Sequence, residues 1–248
     1  MTGVSRSDWA ALVETAASVI WPSASTTVPP GDEVQVACSC LRVRGSRLLR
    51  ACARLVGAGY STEAAVLVRS TWEDAVSAAF MAEKPVARAT RWVDFADARR
   101  VHHLKQAIQD PWGLSTDDVA AMVQAVDGKA CATSSDWAGT SASSLAKGLA
   151  SSKRQMSRTL SRDFGLMYED LCDVAHGSPF AVGQLLTGDG ESALVDVGPS
   201  DRDTNDVASL AVYAACQLAA AVNAMGAGID QDLVDGLASD LLRTRAKS

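Results

Sequence analysis

The sequence has few aromatic residues and only three histidines. Phe, Trp and Tyr make up 5% of its 248 residues, although 48% of the residues are hydrophobic. Alanine supplies much of that hydrophobic share, and alanine both favours helix formation and lets helices pack closely. The composition therefore indicates a domain of packed helices.

Sequence motifs of several familiar enzyme classes are also absent. No GxxxxGK[ST] phosphate loop, GxGxxG dinucleotide fingerprint or GxSxG nucleophile elbow occurs in the chain. These absences argue against the corresponding enzyme classes, and the sequence predicts no cofactor. They do not decide whether the protein is an enzyme.

The chain has no excess of positive charge, since its formal net charge is −6. A nucleic-acid partner is therefore not indicated by charge, although a local basic patch would still permit one. Five arginines recur along one predicted helix, where we interpret them as a solvated surface. They are Arg42, Arg44, Arg47, Arg50 and Arg54.

Neither a signal peptide nor a membrane span is predicted. The longest apolar stretch, Val207 to Ala227, includes Gln217 and Asn223, so we interpret it as a core helix. Most of the six cysteines have apolar helical neighbours, where a free thiol behaves as a small hydrophobic group. These features predict a soluble, cytoplasmic protein without structural disulfides.

Capping residues, glycines and prolines divide the chain into helices. We predict an all-α fold, a single-domain antiparallel bundle of about seven to nine helices, with a long loop near 177–204 and a brief extended piece at 193–197. One domain covers residues 1–248, with a core at about 33–226 on which helices 7–21 and 230–244 pack. The other predicted helices cover about 33–56, 61–84, 85–109, 115–126, 152–175 and 205–225.

The best indication of a functional site is a charged pair on the hydrophobic side of the predicted helix 61–84. Arg69 and Glu73 lie four residues apart, on the same stripe as apolar residues such as Trp72 and Val76. A charged pair there must be buried with partners or must line a cleft, because isolated buried charge is very costly.

His176 and Tyr168 are the second pair of candidate site residues. They are eight residues apart, so they share a face if the helix 152–175 extends that far. His176 can be a structural residue beside a C-terminal Gly177, or a general acid/base facing Arg69 and Glu73. The candidate catalytic cluster is therefore Arg69, Glu73, Tyr168 and His176.

A metal site is a weaker alternative. Glu73, Asp94 and His176 are the weak candidate ligands, but the Glu-x-x-His spacing of a four-helix di-iron site is absent. The sequence therefore predicts no metal.

Short motifs resemble a prokaryotic family of helical proteins, the domain-of-unknown-function family 5677. They are Arg69-Ser70-Thr71-Trp72-Glu73, Trp92-Val93-Asp94-Phe95, Trp137 with Leu145-Ala146-Lys147, and the segment from Tyr168 to Gly177. The resemblance covers roughly Leu41 to Leu186. It implies that Arg69, Glu73, Tyr168 and His176 form one cluster, and it implies no reaction.

A looser similarity is to the HEPN-type helical ribonucleases of toxin and defence systems, which carry Arg-x(4–6)-His on one helix. Arg99-x3-His103 is one residue short of that spacing, whereas Arg69 and His176 lie on different helices. In such an enzyme His176 would transfer the proton and Arg69 would stabilise charge on the phosphorus, with Glu73 orienting Arg69.

Two functional hypotheses follow. The first is a soluble helical bundle whose buried polar cluster is structural or binds a ligand or partner. The alternative is a HEPN-like, metal-independent ribonuclease or another phosphodiester-handling enzyme. A homodimer through an Ala-rich helix face is compatible with either hypothesis.

Overall fold

The structure is a computed structural model that describes residues 4–22, 28–109, 120, 124, 137–175, 186–188, 193–195, 199–201 and 203–248. Within these ranges the chain forms eight helices and one pair of short strands, which confirms the predicted all-α helical bundle. The elements are α1 (Arg6–Ile20), α2 (Glu33–Ala58), α3 (Ser61–Glu83), α4 (Pro85–Gln109), α5 (Ala142–Leu149), α6 (Gln155–Ala175), β1 (Leu186–Gly188), β2 (Ala193–Val195), α7 (Thr204–Asn223) and α8 (Gln231–Arg245).

Local sequence signals account for most of the helix ends. Gly59 ends α2 in the left-handed conformation at φ 84°, where its N–H reaches the carbonyls of Leu55 and Val56. Pro85 occupies the first position of α4, as its fixed φ favours. The first helix begins at Arg6, one residue before the predicted start, because Ser5 and Asp8 form a reciprocal capping box.

Of the predicted helix at about 115–126, only residues 120 and 124 are among the described residues, and residues 125–136 are not described. The described segment 137–141 leads into α5, whose N-cap is Ser141. The brief extended piece predicted at 193–197 is observed as β2, which pairs with β1 in antiparallel register, Thr187 opposite Leu194.

Helix α3 lies at the centre of the bundle. It packs against α2, α4, α5, α6 and α7, and its contact with α7 is the most extensive in the described chain. Both helices are rich in buried small residues: Ala75, Ala78 and Ala82 of α3 and Ala211 and Ala215 of α7 are fully buried. Alanine lets the two helices approach closely, which leaves the other side of α3 for the site.

The terminal helices share this core. Trp9 of α1 and Leu237 of α8 belong to the same buried hydrophobic cluster as Trp72 of α3. Packing of both terminal helices on the bundle is thus observed, and the assignment of residues 1–248 to one domain stays a prediction.

One helix in the described part of the chain, α7, is long and apolar enough to cross a membrane, with a mean hydropathy of 1.3. However, 61% of that stretch is buried inside the protein. A mostly buried core helix passes the same test, and most of α7 belongs to the buried hydrophobic cluster.

Gly45 provides a test of the close packing between α2 and α7. A Cβ atom at this position would overlap Leu218 Cδ2 and lie 3.3 Å from Ile20 Cδ1. Because Leu218 is fully buried, it has little room to move. We expect Gly45→Ala to lower the free energy of unfolding by about 1–2 kcal/mol, as overpacking outweighs the better helix propensity of alanine.

Gly165→Ala is the matched control for that measurement. Gly165 is helical and exposed, and no atom lies within 4 Å of a Cβ built on it. Urea unfolding should show an unchanged or raised stability for this variant, by up to about 1 kcal/mol. Equal stabilisation by both substitutions would contradict the packing described for Gly45.

Candidate functional site

A cleft of about 470 Å³ lies on the side of α3 that faces away from α7. Helices α2 to α6, together with the segment just before α5, form its walls. Its lining residues combine charged, hydroxyl and aromatic side chains. They are Cys40, Leu41, Arg44, Arg69, Glu73, Asp74, Ser77, Trp92, Trp137, Thr140, Ser141, Ala142, Leu145 and Tyr168.

Arg69, Glu73 and Tyr168 form a hydrogen-bonded cluster on the wall of this cleft. The Tyr168 hydroxyl donates to Glu73 Oε1 at 2.6 Å. Arg69 Nε donates to the same oxygen at 3.2 Å, and Arg69 Nη2 donates to the Tyr168 hydroxyl oxygen at 3.3 Å. The structure therefore brings three of the four predicted site residues together, across the contact between α3 and α6.

Helix geometry and aromatic packing hold the cluster in place. Arg69 and Glu73 are one turn apart on α3, so their side chains meet on one face. On α6, the ring of Phe164 stacks on the ring of Tyr168 with centroids 4.1 Å apart. The Arg69 guanidinium carbon lies 5.4 Å from the centroid of the Tyr168 ring, within the range of a cation–π contact.

The pKa values in the cluster reflect both burial and these contacts. Burial raises the pKa of Tyr168, and its hydrogen bond to Glu73 raises it further, so the hydroxyl keeps its proton. Burial lowers the pKa of Arg69, but the hydrogen bond to Tyr168 and the charge of Glu73 outweigh this effect. The pKa of Arg69 is therefore raised, and the guanidinium is a fixed cation.

The cluster is not sealed in the core, which corrects the prediction of a buried polar cluster. The side chain of Arg69 is 20% exposed and that of Glu73 is 31% exposed. The alternative that the sequence left open, a charged pair lining a cleft, describes the structure better. Exposure to the cleft lowers the cost of keeping both charges, because water solvates them there.

The fourth predicted residue, His176, lies outside the described residues, so its role stays a prediction. Asp94, one of the weak metal candidates, is partly buried on α4 and does not line the cleft. Across the ranges that the structure describes, no group of three His, Cys, Asp or Glu side chains is placed to hold a metal. Glu73 Oε1 already accepts hydrogen bonds from Arg69 and Tyr168.

A second charged pair in the cleft wall was not predicted. Asp74 is only 6% exposed, and one of its oxygens, Oδ1, accepts a hydrogen bond from Arg44 of α2. Its other oxygen, Oδ2, is buried and has no hydrogen-bond partner among the described residues. Asp74 shares a helical stripe with Thr71 and Ala78, both fully buried, and this spacing is the signal that could have revealed it.

The prediction of a solvated surface is wrong for Arg42 and Arg50 of α2, which are partly buried, whereas Arg44 is exposed but also forms an ion pair. Arg42 donates to the carbonyls of Ile20 and Ala227, and so connects α2 to the end of α1 and to the segment that follows α7. Arg44 pairs with Asp74, and Arg50 pairs with Glu14 of α1 while lying over a tryptophan ring. Arg47 and Arg54 are exposed, as predicted.

The cysteines differ in their access to solvent. Cys38 and Cys52 are buried, whereas Cys40 is exposed and lines the cleft. Burial raises the pKa of Cys52, and also raises that of Cys40, so neither is an activated thiolate. All the cysteines among the described residues are free thiols, and Cys131 lies outside those residues.

The titration of Asp74 has a measurable consequence for stability. Burial raises the pKa of Asp74 from 3.8 to about 7, against the opposing effect of Arg44. Between these two values the folded protein keeps a proton that the unfolded chain releases. The contribution of Asp74 to stability is therefore full below about pH 4 and is lost as the pH rises to about 7.

We expect Asp74→Asn to remove this pH dependence. Urea unfolding at pH 5 and at pH 7.5 should show a loss of stability in the wild type that exceeds the loss in Asp74→Asn by up to about 3 kcal/mol. Asp232→Asn, which changes an exposed carboxyl on α8, is the control and should behave as the wild type. An identical pH effect in wild type and Asp74→Asn would show that Asp74 is ionised in the folded protein throughout this range.

Comparisons with known proteins agree with the resemblance seen in the short motifs. A family described as a family of unknown function, DUF5677, matches residues 35–193, which include α2 to α6 and the cleft. No curated protein and no solved structure matches the chain. The match covers more than half of the sequence, and the chain belongs to the DUF5677 family.

Proposed function

We propose that the protein binds a small polar organic ligand in the cleft, with Arg69, Glu73 and Tyr168 as the polar wall of the binding site. The observation that carries this proposal is the partial exposure of the Arg69–Glu73 pair inside a concave site. A network that served only packing would be closed and fully buried.

The size and lining of the cleft suit such a ligand. Its volume of about 470 Å³ falls in the range of small-molecule sites. Trp92 and Trp137 add aromatic surface, which can stack on a planar part of a ligand. Small-molecule sites typically combine apolar walls of this kind with a few fixed polar groups.

The polar wall is also preorganised. Tyr168 bonds to both members of the charged pair, and the stacked ring of Phe164 restrains Tyr168. A ligand therefore meets groups whose orientation is already fixed, which lowers the entropic cost of binding. The hydrogen bonds described for Glu73 all use Oε1, and a ligand donor can approach the other oxygen of this partly exposed carboxylate.

The other predictions about function remain predictions. The ribonuclease alternative needs His176, which lies outside the described residues, and no observation on the described cleft favours it over ligand binding. A homodimer would need a helix face other than the one formed by the buried alanines of α3 and α7. A cytoplasmic location is proposed on the free cysteines alone.

Thermal shift measurements with a panel of free amino acids, nucleosides, sugar phosphates and polyamines test the proposed function. We expect at least one class to raise the Tm of the wild type and to bind about tenfold or more weakly to Glu73→Gln and Tyr168→Phe. Loss of a hydrogen bond to a charged group costs about 1.5–3 kcal/mol, which corresponds to that loss of affinity.

Two matched substitutions outside the cleft serve as controls. Glu63→Gln changes an exposed carboxylate on the same helix, and Tyr60→Phe removes an exposed hydroxyl next to it. Both variants should bind as the wild type does. The proposal is wrong if no compound binds. It is also wrong if Glu73→Gln and Tyr168→Phe lower the stability of the fold but leave the affinity for every bound compound unchanged.

A further inference from the structure

Arg44 lines the cleft, and its guanidinium forms an ion pair with Asp74. Its side chain is 52% exposed and lines the cleft. The hydrogen bond that the structure describes for it is donated by Nη1 to Asp74 Oδ1 across the contact between α2 and α3. The other N–H groups of a guanidinium can serve a ligand only if the group can turn toward the cleft.

Asp74 has few hydrogen-bond partners for a buried carboxylate. It is buried, and Arg44 is the partner of only one of its two oxygens, since Oδ2 has none within the described ranges. A buried carboxylate needs several hydrogen bonds to offset its lost hydration. Asp74 therefore takes up a proton more readily than an exposed aspartate, and its pKa of about 7 agrees with this reasoning.

We propose that Arg44 is an oxyanion-binding subsite of the cleft and that Asp74 controls it. While Asp74 is ionised, it holds the guanidinium in an ion pair. When Asp74 is protonated, the pair loses its negative member, and Arg44 can bind a carboxylate, sulfate or phosphate group that enters the cleft. This inference rests on the proposed function and adds to it the charge of one ligand group.

The charges around Asp74 support this assignment. Arg44 faces it from α2, and Glu73 is its neighbour on α3; both influence its titration. Arg69 is already engaged by Glu73 and Tyr168. The described lining residues of α4 and α5 carry no charge; they are Trp92, Ala142 and Leu145. Protonation of Asp74 thus adds one net positive charge to the cleft wall, which an anion can neutralise.

Binding of sulfate at pH 6 and pH 8 tests the inference, because sulfate keeps the same charge at both values. With a pKa of about 7 for Asp74, about nine-tenths of the protein is protonated there at pH 6 and about one-tenth at pH 8. We expect sulfate to bind the wild type about tenfold more tightly at pH 6, measured by Tm against sulfate concentration with sodium chloride at equal ionic strength.

Two variants isolate the two residues. Asp74→Asn mimics the protonated carboxyl, so it should bind sulfate at both pH values as the wild type does at pH 6. Arg44→Gln should keep only the general stabilisation that sulfate gives folded proteins, and this response should be the same at both pH values. Circular dichroism confirms that each variant is folded, and Arg44→Lys, which keeps the charge, should retain part of the response.

Equal sulfate affinity of the wild type at the two pH values would overturn the inference, and so would a pH-dependent response that survives in Arg44→Gln. A separate measurement, with an organic ligand, tests the proposed function. An organic ligand that depends on Glu73 and Tyr168 but binds Arg44→Gln and the wild type equally at both pH values would overturn the anion subsite and leave the ligand site in place.

Discussion

Two adjacent carboxylates on α3 define the cleft. Glu73 reaches α6 through Tyr168, whereas Asp74 reaches α2 through Arg44. Consecutive residues of a helix point about 100° apart, so neighbouring side chains can contact different helices. The central helix thus connects both walls of the cleft through polar contacts, while it also packs extensively against α7.

The two carboxylates meet different environments, and the difference determines what each can do. Glu73 is one-third exposed and bonded to Tyr168 and Arg69. Asp74 is buried with a single partner, so its charge is the more easily lost. The cleft therefore has a partly exposed polar wall at Glu73 and a buried carboxyl at Asp74, whose raised pKa makes its charge depend on pH.

Much of the fold follows from local sequence signals, because glycine, proline and capping residues act within a turn of the helix that they end. The contact of Arg69 and Glu73 was likewise predictable, since their spacing and their apolar stripe are local features. The contact with Tyr168 came from a resemblance in short motifs. Asp74 and Arg44 were missed because the side of α2 that meets α3 depends on tertiary packing, and exposed arginine is the usual expectation for a helix surface.

The central claim is that the cleft beside Glu73 and Asp74 is open to solutes. Thiol labelling of Ser77→Cys tests it most directly, since Ser77 lines the cleft on the same helix and Cys52 is a buried reference thiol in the same molecule. We expect a small methanethiosulfonate reagent, with sites mapped by mass spectrometry, to modify the new thiol far faster than Cys52. Equally slow modification of both thiols in the folded variant would contradict an open cleft.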